Sequence, residues 1–406
     1  MKALINDCSL SAVVAGFIAT VISYAGPLVI IFQAAESASL SHAVLSSWVW
    51  AISIGSAVLG IGLSLRYRVP VIIAWSAPGS ALLVALLPQI SLNEAVGAYI
   101  VASLIIFLVG ISGAFDRVIG KLPAAISAGM LAGILFSFGT GLFVSLRSQP
   151  LLVLAMFISY LLVKRLLPRY AVLAVLLVGS AIAVASGQLH QEALVVGLAR
   201  PVWISPEFSL AASLNIALPL VMLALTGQFV PGMAVLRNAG YPTPASPIIS
   251  SSALGSLLLA PFACHGLNLA AITAAICTGR EAHEDPARRY VAGVAGGLVY
   301  LLLGLFGATL VSLFSAFPRE LIAALAGLAL FGAIGGALAG AMAQPDDREA
   351  ALITFLVTAS GMSFLSLSAA FWGLVFGIAA HLLLGAHRVA QPTSQPAGLA
   401  REEVAR

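Results

Sequence analysis

Long apolar runs alternate with short charged or Pro- and Gly-rich breaks along almost the whole chain of 406 residues. A run of about 20 apolar residues is long enough to cross a bilayer as a helix. The pattern predicts about fourteen transmembrane segments, several of them too short for a simple crossing. They lie near 11–33, 43–65, 70–87, 94–114, 123–144, 150–163, 170–187, 209–236, 246–260, 261–278, 290–315, 320–343, 350–363 and 367–386. The predicted fold class is an all-α polytopic membrane protein.

The longest polar interruption, 188–208, follows the seventh segment and divides the segments into two sets of seven. Because seven is odd, the second set enters the membrane from the opposite side, as in an inverted-topology repeat. Glycine-containing breaks in segments one and eight, and prolines that open segments three and ten, fall at corresponding places in the two sets. We therefore expect a first repeat at 1–187, an extracytoplasmic linker at 188–208, a second repeat at 209–387 and a cytoplasmic tail at 388–406.

Composition agrees with a membrane location. Hydrophobic residues make up 61% of the chain, charged residues 8%, and the mean hydropathy is +1.07, whereas soluble domains are roughly 45–50% apolar. The first apolar run, 12–32, is as long as a membrane span and has no convincing signal-peptide cleavage site, so it is expected to be the first segment.

Positive charges predict the orientation. If the N-terminus is cytoplasmic, all of the 19 Lys and Arg residues except Arg147, Arg200 and Arg319 fall on the cytoplasmic side. This positive-inside bias predicts that both termini are cytoplasmic. The net charge of +4 comes from these loop residues, so no nucleic-acid partner is predicted.

Segment three changes character within "PVIIAWSAPGSALLVAL", residues 70–86. "PVIIAW" is rich in β-branched residues and "SAPGS" is typical of a helix start. Segment ten, "APFACHGLNLAAITAAI" (260–276), predicts an extended "PFACH", a joint at Gly266 and a helix from Leu267. Non-helical backbone at membrane depth requires protein or a wet cavity to satisfy its polar groups. We expect two half-extended, half-helical segments whose helix N-termini meet and bind an anion; ordinary kinks at Pro78 and Gly266 are the alternative.

The acidic residues narrow the function. None of the 15 Asp and Glu residues falls deep inside a predicted segment, although cation carriers and proton pumps usually need buried carboxylates. The pattern therefore favours a substrate that carries its own negative charge. Cys8, Cys264 and Cys277 have neither metal-ligand nor disulfide spacing, so no metal or other cofactor is predicted.

His265 is the one obvious titratable group at the predicted centre. It is expected to be protonated together with an incoming carboxylate; the alternative is a neutral imidazole satisfied by a neighbouring carbonyl group. Ser76 and Asn268 offer hydrogen bonds, and Trp75 and Phe262 offer aromatic walls. The predicted substrate-binding residues are Tyr24, Gly26, Trp75, Ser76, Ala77, Pro78, Gly79, Gln228, Phe262, Cys264, His265, Gly266, Leu267 and Asn268.

Four segments, "SYAGPLVIIFQAA", "GQFVPGMAVLRNAGY", "APFACHGLNLAAITAAICTG" and "RRYVAGVAGGLVYLLLGLFG", resemble the bacterial benzoate/proton symporter family. The resemblance extends to about His387 and is most specific in "CHGLNLAAITAAICTG". It implies a relative of the uracil permease fold, with a core domain from segments one to four and eight to eleven, a gate domain from the rest, and a possible homodimer. Nucleobase carriers of that fold typically place a carboxylate on segment eight, where this chain has Gln228.

The expected protein is a transporter of the bacterial cytoplasmic membrane that imports benzoate or a similar aromatic carboxylate with a proton. Two alternatives on the same fold are a transporter or channel for another anion, such as sulfate or bicarbonate, and a nucleobase carrier. A membrane-embedded enzyme is disfavoured, since no Ser/His/Asp or HExxH-type arrangement is present.

Overall fold

The computed structural model describes residues 2–115, 117, 123–189 and 196–386. The predicted tail at 388–406 and the part of the predicted linker at 190–195 lie outside these residues. The helices are α1 (Lys2–Asp7), α2 (Leu10–Ala25), α3 (Pro27–Ser37), α4 (His42–Tyr67), α5 (Ala77–Leu86), α6 (Leu92–Ile111), α7 (Ala124–Val144), α8 (Pro150–Leu166), α9 (Ala171–Ala185), α10 (Leu210–Asn238), α11 (Ala245–Leu259), α12 (Ile272–Thr278), α13 (Tyr290–Leu305), α14 (Gly307–Ser315), α15 (Arg319–Ala341), α16 (Arg348–Ala359) and α17 (Ala369–Ala386). The strands are β1 (Ile73–Trp75), β2 (Leu267–Leu269), β3 (Ser363–Phe364) and β4 (Leu367–Ser368).

Serine side chains set several helix starts within the apolar sequence. Each of these hydroxyl groups accepts a hydrogen bond from a backbone N–H of the first turn. The capping residues are Ser9 for α2, Ser41 for α4, Ser76 for α5, Ser91 for α6 and Ser209 for α10. A serine N-cap typically stabilises a helix by about 1 kcal/mol relative to alanine, so these residues mark helix starts that hydropathy alone does not locate.

The helices pack into two groups. In the first bundle, α13 packs against α2 and α4, α11 packs against α6, and α3 packs against α5. In the second bundle, α7 packs against α15 and α16, α16 packs against α17, and α8 packs against α9. The first bundle thus contains α2–α6 and α10–α14, and the second contains α7–α9 and α15–α17.

Eight helical stretches in the described part of the chain are long and apolar enough to cross a membrane. They are Leu10–Ser37, His42–Tyr67, Leu92–Ile111, Ala124–Arg147, Leu210–Asn238, Ala245–Phe262, Pro286–Leu305 and Arg319–Ala341. Shorter apolar helices occupy Ala77–Leu86, Ala171–Ala185 and Ala369–Leu384. The prediction of a multi-pass helical membrane protein is confirmed, while the number of crossings stays a prediction.

The described part of the chain is helical apart from four short strands, which form two antiparallel pairs; the extended stretches expected in segments three and ten contain two of these strands. β1 pairs with β2, and β3 pairs with β4 in the connection between α16 and α17. These backbone stretches leave the helical conformation and satisfy part of their hydrogen bonding in strand pairs. The predicted segment 290–315 also divides, at Phe306, into α13 and α14.

The predicted break in segment one is present at Gly26, which separates α2 from α3. A Cβ atom at Gly26 would lie 2.8 Å from the Cβ of Ala329 in α15. This glycine therefore allows the two bundles to approach closely.

The predicted break in segment eight is absent, because α10 continues through π-helical turns at Ser213–Ala217 and Leu225–Phe229. Pro219 and Pro231 follow these turns closely. Proline lacks an N–H and clashes with the carbonyl one turn earlier, so a locally wider turn accommodates each proline without ending the helix.

Candidate functional site

The centre of the first bundle contains the antiparallel ladder between β1 and β2. Ile73 is paired with Leu269, Ala74 with Asn268, and Trp75 with Leu267. The ladder is extended by the Ala270 N–H, which donates to the Ile72 carbonyl at 2.9 Å. The two extended stretches therefore satisfy one another's backbone groups, as non-helical backbone in a membrane protein requires.

Segment three has the predicted conformation, an extended stretch followed by a helix that begins after Ser76. The Ser76 hydroxyl accepts from the Gly79 N–H at 3.0 Å, and the Ser76 carbonyl accepts from the Ser80 N–H at 2.8 Å. Pro78 has no N–H, and its fixed φ suits the first turn of a helix. The N-terminus of α5 consequently points its backbone dipoles at the end of β1.

Segment ten differs from its prediction. Leu267 to Leu269 form β2 rather than the start of a helix, and α12 begins only at Ile272. The predicted helix N-terminus at 266–268 is therefore wrong. The physical reason is the pairing with β1, which gives these backbone groups better partners than a first helical turn would. Gly266 precedes the strand with φ of +142°, a conformation that side chains rarely adopt.

His265 is buried and is hydrogen-bonded through both ring nitrogen atoms. Its Nδ1 accepts from Trp48 Nε1 at 3.1 Å, while Nε2 lies 3.1 Å from the Ser76 carbonyl and 3.0 Å from the Ser80 hydroxyl. An indole N–H only donates and a carbonyl only accepts, so this network assigns a neutral imidazole with its hydrogen on Nε2. The histidine thus joins β2, α4 and the start of α5.

A small cavity of about 10 Å³ lies beside this junction. Its polar lining consists of Ser76, Ser103, Ser256, His265 and Asn268, and its apolar lining includes Leu220 of α10. This space is about that of one water molecule. An aromatic ring therefore requires the surrounding helices to separate.

Trp75 and Tyr24 lie in a buried aromatic cluster with Tyr300. The ring centroids of Tyr24 and Trp75 are 5.3 Å apart, and that of Tyr300 lies 5.6 Å from Tyr24 and 6.1 Å from Trp75. The Tyr24 hydroxyl is hydrogen-bonded to Ser53 of α4. Trp75 Nε1 has no hydrogen-bond partner among the described residues, so this cluster contains an uncommitted donor next to β1.

The remaining predicted residues are distributed around this centre. Ala77, Pro78 and Gly79 form the first turn of α5. Cys264 is buried, and Gln228 is half-buried in the second π-helical turn of α10, which packs against β2. Phe262 lies elsewhere: its ring packs against Trp50 and Trp203, each at a centroid distance of 5.6 Å.

Sequence reasoning missed several residues of the centre: Trp48, Ser53, Ser80, Tyr99, Ser103, Ser256 and Tyr300. Two of them carried a usable signal. Ser80 follows Ser76 by one helical turn and therefore shares its face. Trp48 lies within an apolar segment, where a buried indole N–H usually requires a partner.

Helices long and apolar enough to cross a membrane, packed around a paired, non-helical centre, are typical of membrane transport proteins. The fold is similar to that of solved transporters. The overall structure of SLC26A9 matches with a TM-score of 0.62 and 14% identity, over 93% of this chain and 66% of that one. The transmembrane domain of the bicarbonate transporter BicA from a cyanobacterium matches with a TM-score of 0.57 and 14% identity, over 91% and 97% of the two chains.

The chain belongs to the family described as Benzoate membrane transport protein, whose family model matches residues 6–383. It is therefore a transporter and not an enzyme. The Benzoate membrane transport protein of Acinetobacter baylyi is 53% identical over 384 residues, which cover 95% of this chain and 98% of that protein. Inner membrane protein YdcO of Escherichia coli K12 is 43% identical over 370 residues, which cover 91% and 95%.

Proposed function

We propose that this protein imports benzoate or a similar aromatic carboxylate together with a proton, by alternating access. The observation that carries the proposal is the junction where β1 and β2 pair, α5 begins and His265 contacts Ser76. Among the described residues, those around its cavity include polar and apolar groups but no Asp, Glu, Lys or Arg. Family membership and the benzoate transport protein of Acinetobacter baylyi support the substrate class.

The carboxylate binds at the N-terminus of α5, where the backbone dipoles provide a partial positive charge. Gly79 N–H is already used by Ser76, and Pro78 has none. The carboxylate therefore uses the Ala77 N–H or displaces the Ser76 hydroxyl from its cap. Asn268, which lines the same cavity, is a further donor.

The aromatic ring of the substrate faces Tyr24 and Trp75. Both side chains are buried, with 6% and 4% of their surface exposed, and their edge-to-face packing is the geometry that a third ring can join. Gly26, Gly266 and Leu267 shape the proposed site through their backbone. Cys264 and Gln228 pack beside the site. Phe262 contacts the substrate ring after a movement of the cluster that it forms with Trp50 and Trp203.

His265 carries the coupled proton. In the observed network Nδ1 accepts from Trp48. Protonation of Nδ1 would place two N–H donors against each other, so one of the two rings has to turn away. The side chains are thus arranged differently in the two states. In one state a protonated histidine lies beside a bound carboxylate, and in the other a neutral histidine lies in the empty site. Coupling of proton binding to substrate binding requires such a difference.

The proposed architecture is fourteen segments in two inverted repeats, 1–187 and 209–387, separated by an extracytoplasmic linker at 188–208. The first bundle is the core and the second is the gate, which move against each other. Support comes from the packing of the helices into two bundles and from β1 and β2, which occupy the third segment of each repeat. The membrane is the bacterial cytoplasmic membrane, both termini are cytoplasmic, and a homodimer is the proposed assembly.

A second candidate substrate is a small inorganic anion. The cavity of about 10 Å³ fits a small ion more readily than an aromatic ring. The fold is shared with a bicarbonate transporter and with SLC26A9, which is described as an anion transporter.

The test is uptake of labelled benzoate into proteoliposomes that contain only this protein. Uptake is measured with an imposed inward proton gradient and with the gradient collapsed, and passive entry of benzoic acid is subtracted with protein-free vesicles. Gradient-dependent uptake that other aromatic acids compete for is the expected result. Flux that sulfate or bicarbonate abolishes while aromatic acids do not would replace benzoate by the inorganic anion.

A further inference from the structure

A second and larger cavity, of about 490 Å³, lies between the two bundles and away from the β1–β2 junction. Phe32 of α3 and Phe314 of α14 come from the first bundle, while Arg319 comes from the start of α15 in the second. The volume lies within the roughly 300–1,000 Å³ of small-molecule sites. The predicted orientation places this cavity, here called the outer cleft, on the extracytoplasmic side.

The floor of the outer cleft is aromatic. Phe32 and Phe314 are stacked with ring centroids 4.9 Å apart, and Phe317 meets Phe314 edge-on at 6.1 Å. Phe32 and Phe314 are 8% and 6% exposed, so only a small part of each side chain is open to the cleft. Such an arrangement accepts a further aromatic ring in offset or edge-to-face geometry.

The rim of the outer cleft carries a guanidinium group. Arg319 Nε lies 2.7 Å from Glu36 Oε1, and the two side chains are 86% and 50% exposed. An ion pair so open to solvent is weak. Its guanidinium nevertheless keeps the planar donor arrangement that matches a carboxylate, so an incoming carboxylate of the same chemistry competes with Glu36 for it.

We propose that the outer cleft is a capture site for the aromatic carboxylate before it reaches the β1–β2 junction. The carboxylate takes the place of Glu36 on Arg319, and the ring rests on Phe32, Phe314 and Phe317. The inference rests on the proposed function, since it names a second site for the same substrate class. Charge and aromatic surface occur here together, whereas the described residues that line the cavity at the junction include no Asp, Glu, Lys or Arg.

The first test compares Arg319→Gln with Arg147→Gln, a matched control. Arg147 is an exposed arginine on the same predicted side of the membrane and does not line the cleft. Arg319→Gln is expected to raise the half-saturation concentration for benzoate about three- to fivefold, with an unchanged maximal rate, and Arg147→Gln is expected to leave both unchanged. Glu36→Gln, which removes the competing carboxylate, is expected to lower the half-saturation concentration.

The second test restores the charge chemically. Arg319→Cys is placed in a Cys8→Ser background, because Cys8 is exposed while Cys264 and Cys277 are buried. Membrane-impermeant trimethylammonium-ethyl methanethiosulfonate, added to intact cells, is expected to lower the half-saturation concentration toward that of the wild type. The anionic sulfonatoethyl reagent is expected to leave it high, because it adds a charge of the wrong sign.

Transport by the wild type and by Arg319→Gln distinguishes failure of the capture site from failure of the proposed function. If the wild type transports benzoate but Arg319→Gln has the same half-saturation concentration, the capture site is refuted and the proposed function stands. A lower maximal rate at an unchanged half-saturation concentration also refutes it, because Arg319 then acts only in the ion pair. If the wild type neither transports nor binds benzoate, both proposals fail.

Discussion

The indole N–H of Trp48 in α4 donates to Nδ1 of His265, at 3.1 Å, from a position 217 residues earlier in the chain. This bond fixes which ring nitrogen of His265 carries hydrogen in the observed arrangement. It also connects the long helix of segment two to the junction between β1, β2 and α5.

Trp48→Phe keeps an aromatic ring and removes the donor. Without the indole N–H, protonation of His265 Nδ1 no longer opposes another donor. The pH at which uptake is half-maximal is therefore expected to rise, by up to about one unit for the loss of one hydrogen bond. The measurement is a pH profile of uptake at constant proton gradient. Trp50→Phe is the control, since Trp50 packs against Phe262 instead; equal shifts in both variants would contradict the role of Trp48.

His265→Gln retains hydrogen-bonding capacity and removes the titratable group. Exchange of labelled for unlabelled benzoate across the membrane is expected to persist, while accumulation driven by the pH gradient is expected to disappear. Both are measured in the same proteoliposomes. His381→Gln removes a histidine that is paired with Asp347 near the end of the second bundle, and it should retain accumulation. Gradient-driven accumulation in His265→Gln would exclude this histidine as the proton carrier.

Ser76→Ala removes the cap of α5. Loss of a serine cap lowers the free energy of unfolding by about 1 kcal/mol, and here it also disturbs the proposed carboxylate site. Ser91→Ala removes the cap of α6 at a distance from that site and serves as the control. Both variants are expected to melt at slightly lower temperatures in detergent, whereas the half-saturation concentration for benzoate should change only in Ser76→Ala. An equal change of the half-saturation concentration in Ser91→Ala would show that Ser76 affects uptake only through the stability of the protein.

Gly26→Ala introduces a methyl group where its Cβ would lie 2.8 Å from that of Ala329. This is closer than real Cβ contacts, so α3 and α15 have to shift apart. Uptake is expected to fall by at least half, because the contact between the bundles changes. The double variant Gly26→Ala, Ala329→Gly removes the shortest contact, leaves an approach of 3.3 Å to Cγ1 of Val172, and should recover most of the uptake. Gly335→Ala on α15, with open space around it, is the control; failure of the double variant to recover would contradict the steric explanation.

The helices of the membrane fold were predictable from the sequence. The length of each apolar run indicates a helix, and the turn residues between the runs indicate where helices end. Segment three was predictable for the same reason: Ser76 and Pro78 constitute a local helix-start signal, and the helix begins where that signal lies. The corresponding positions of segments three and ten in the two repeats also predicted that His265, Ser76 and Asn268 lie in one region, and they line one cavity.

The conformation of 267–269 could not be read from local sequence. Leu267, Asn268 and Leu269 are compatible with a helix, and only their pairing with residues 73–75 makes them a strand. The same limit applies to α10, where the sequence predicted a glycine-containing break and the helix instead continues through a wider turn at Leu225–Phe229. Phe262 was grouped with Trp75 by residue type, whereas the contact with Trp203 of the linker region determines where its ring lies.

The β1–β2 ladder also constrains how the protein is made. Translation proceeds at roughly 5–20 residues per second, so β1 leaves the ribosome well before its partner strand exists. During that interval its backbone groups lack the partners that a membrane interior demands. A nascent chain that stops before residue 267 therefore has an unpaired strand edge at its centre. Assembly of the binding centre is thus a late event of membrane insertion. It is completed only when β2, in the second half of the chain, pairs with β1 in the first half.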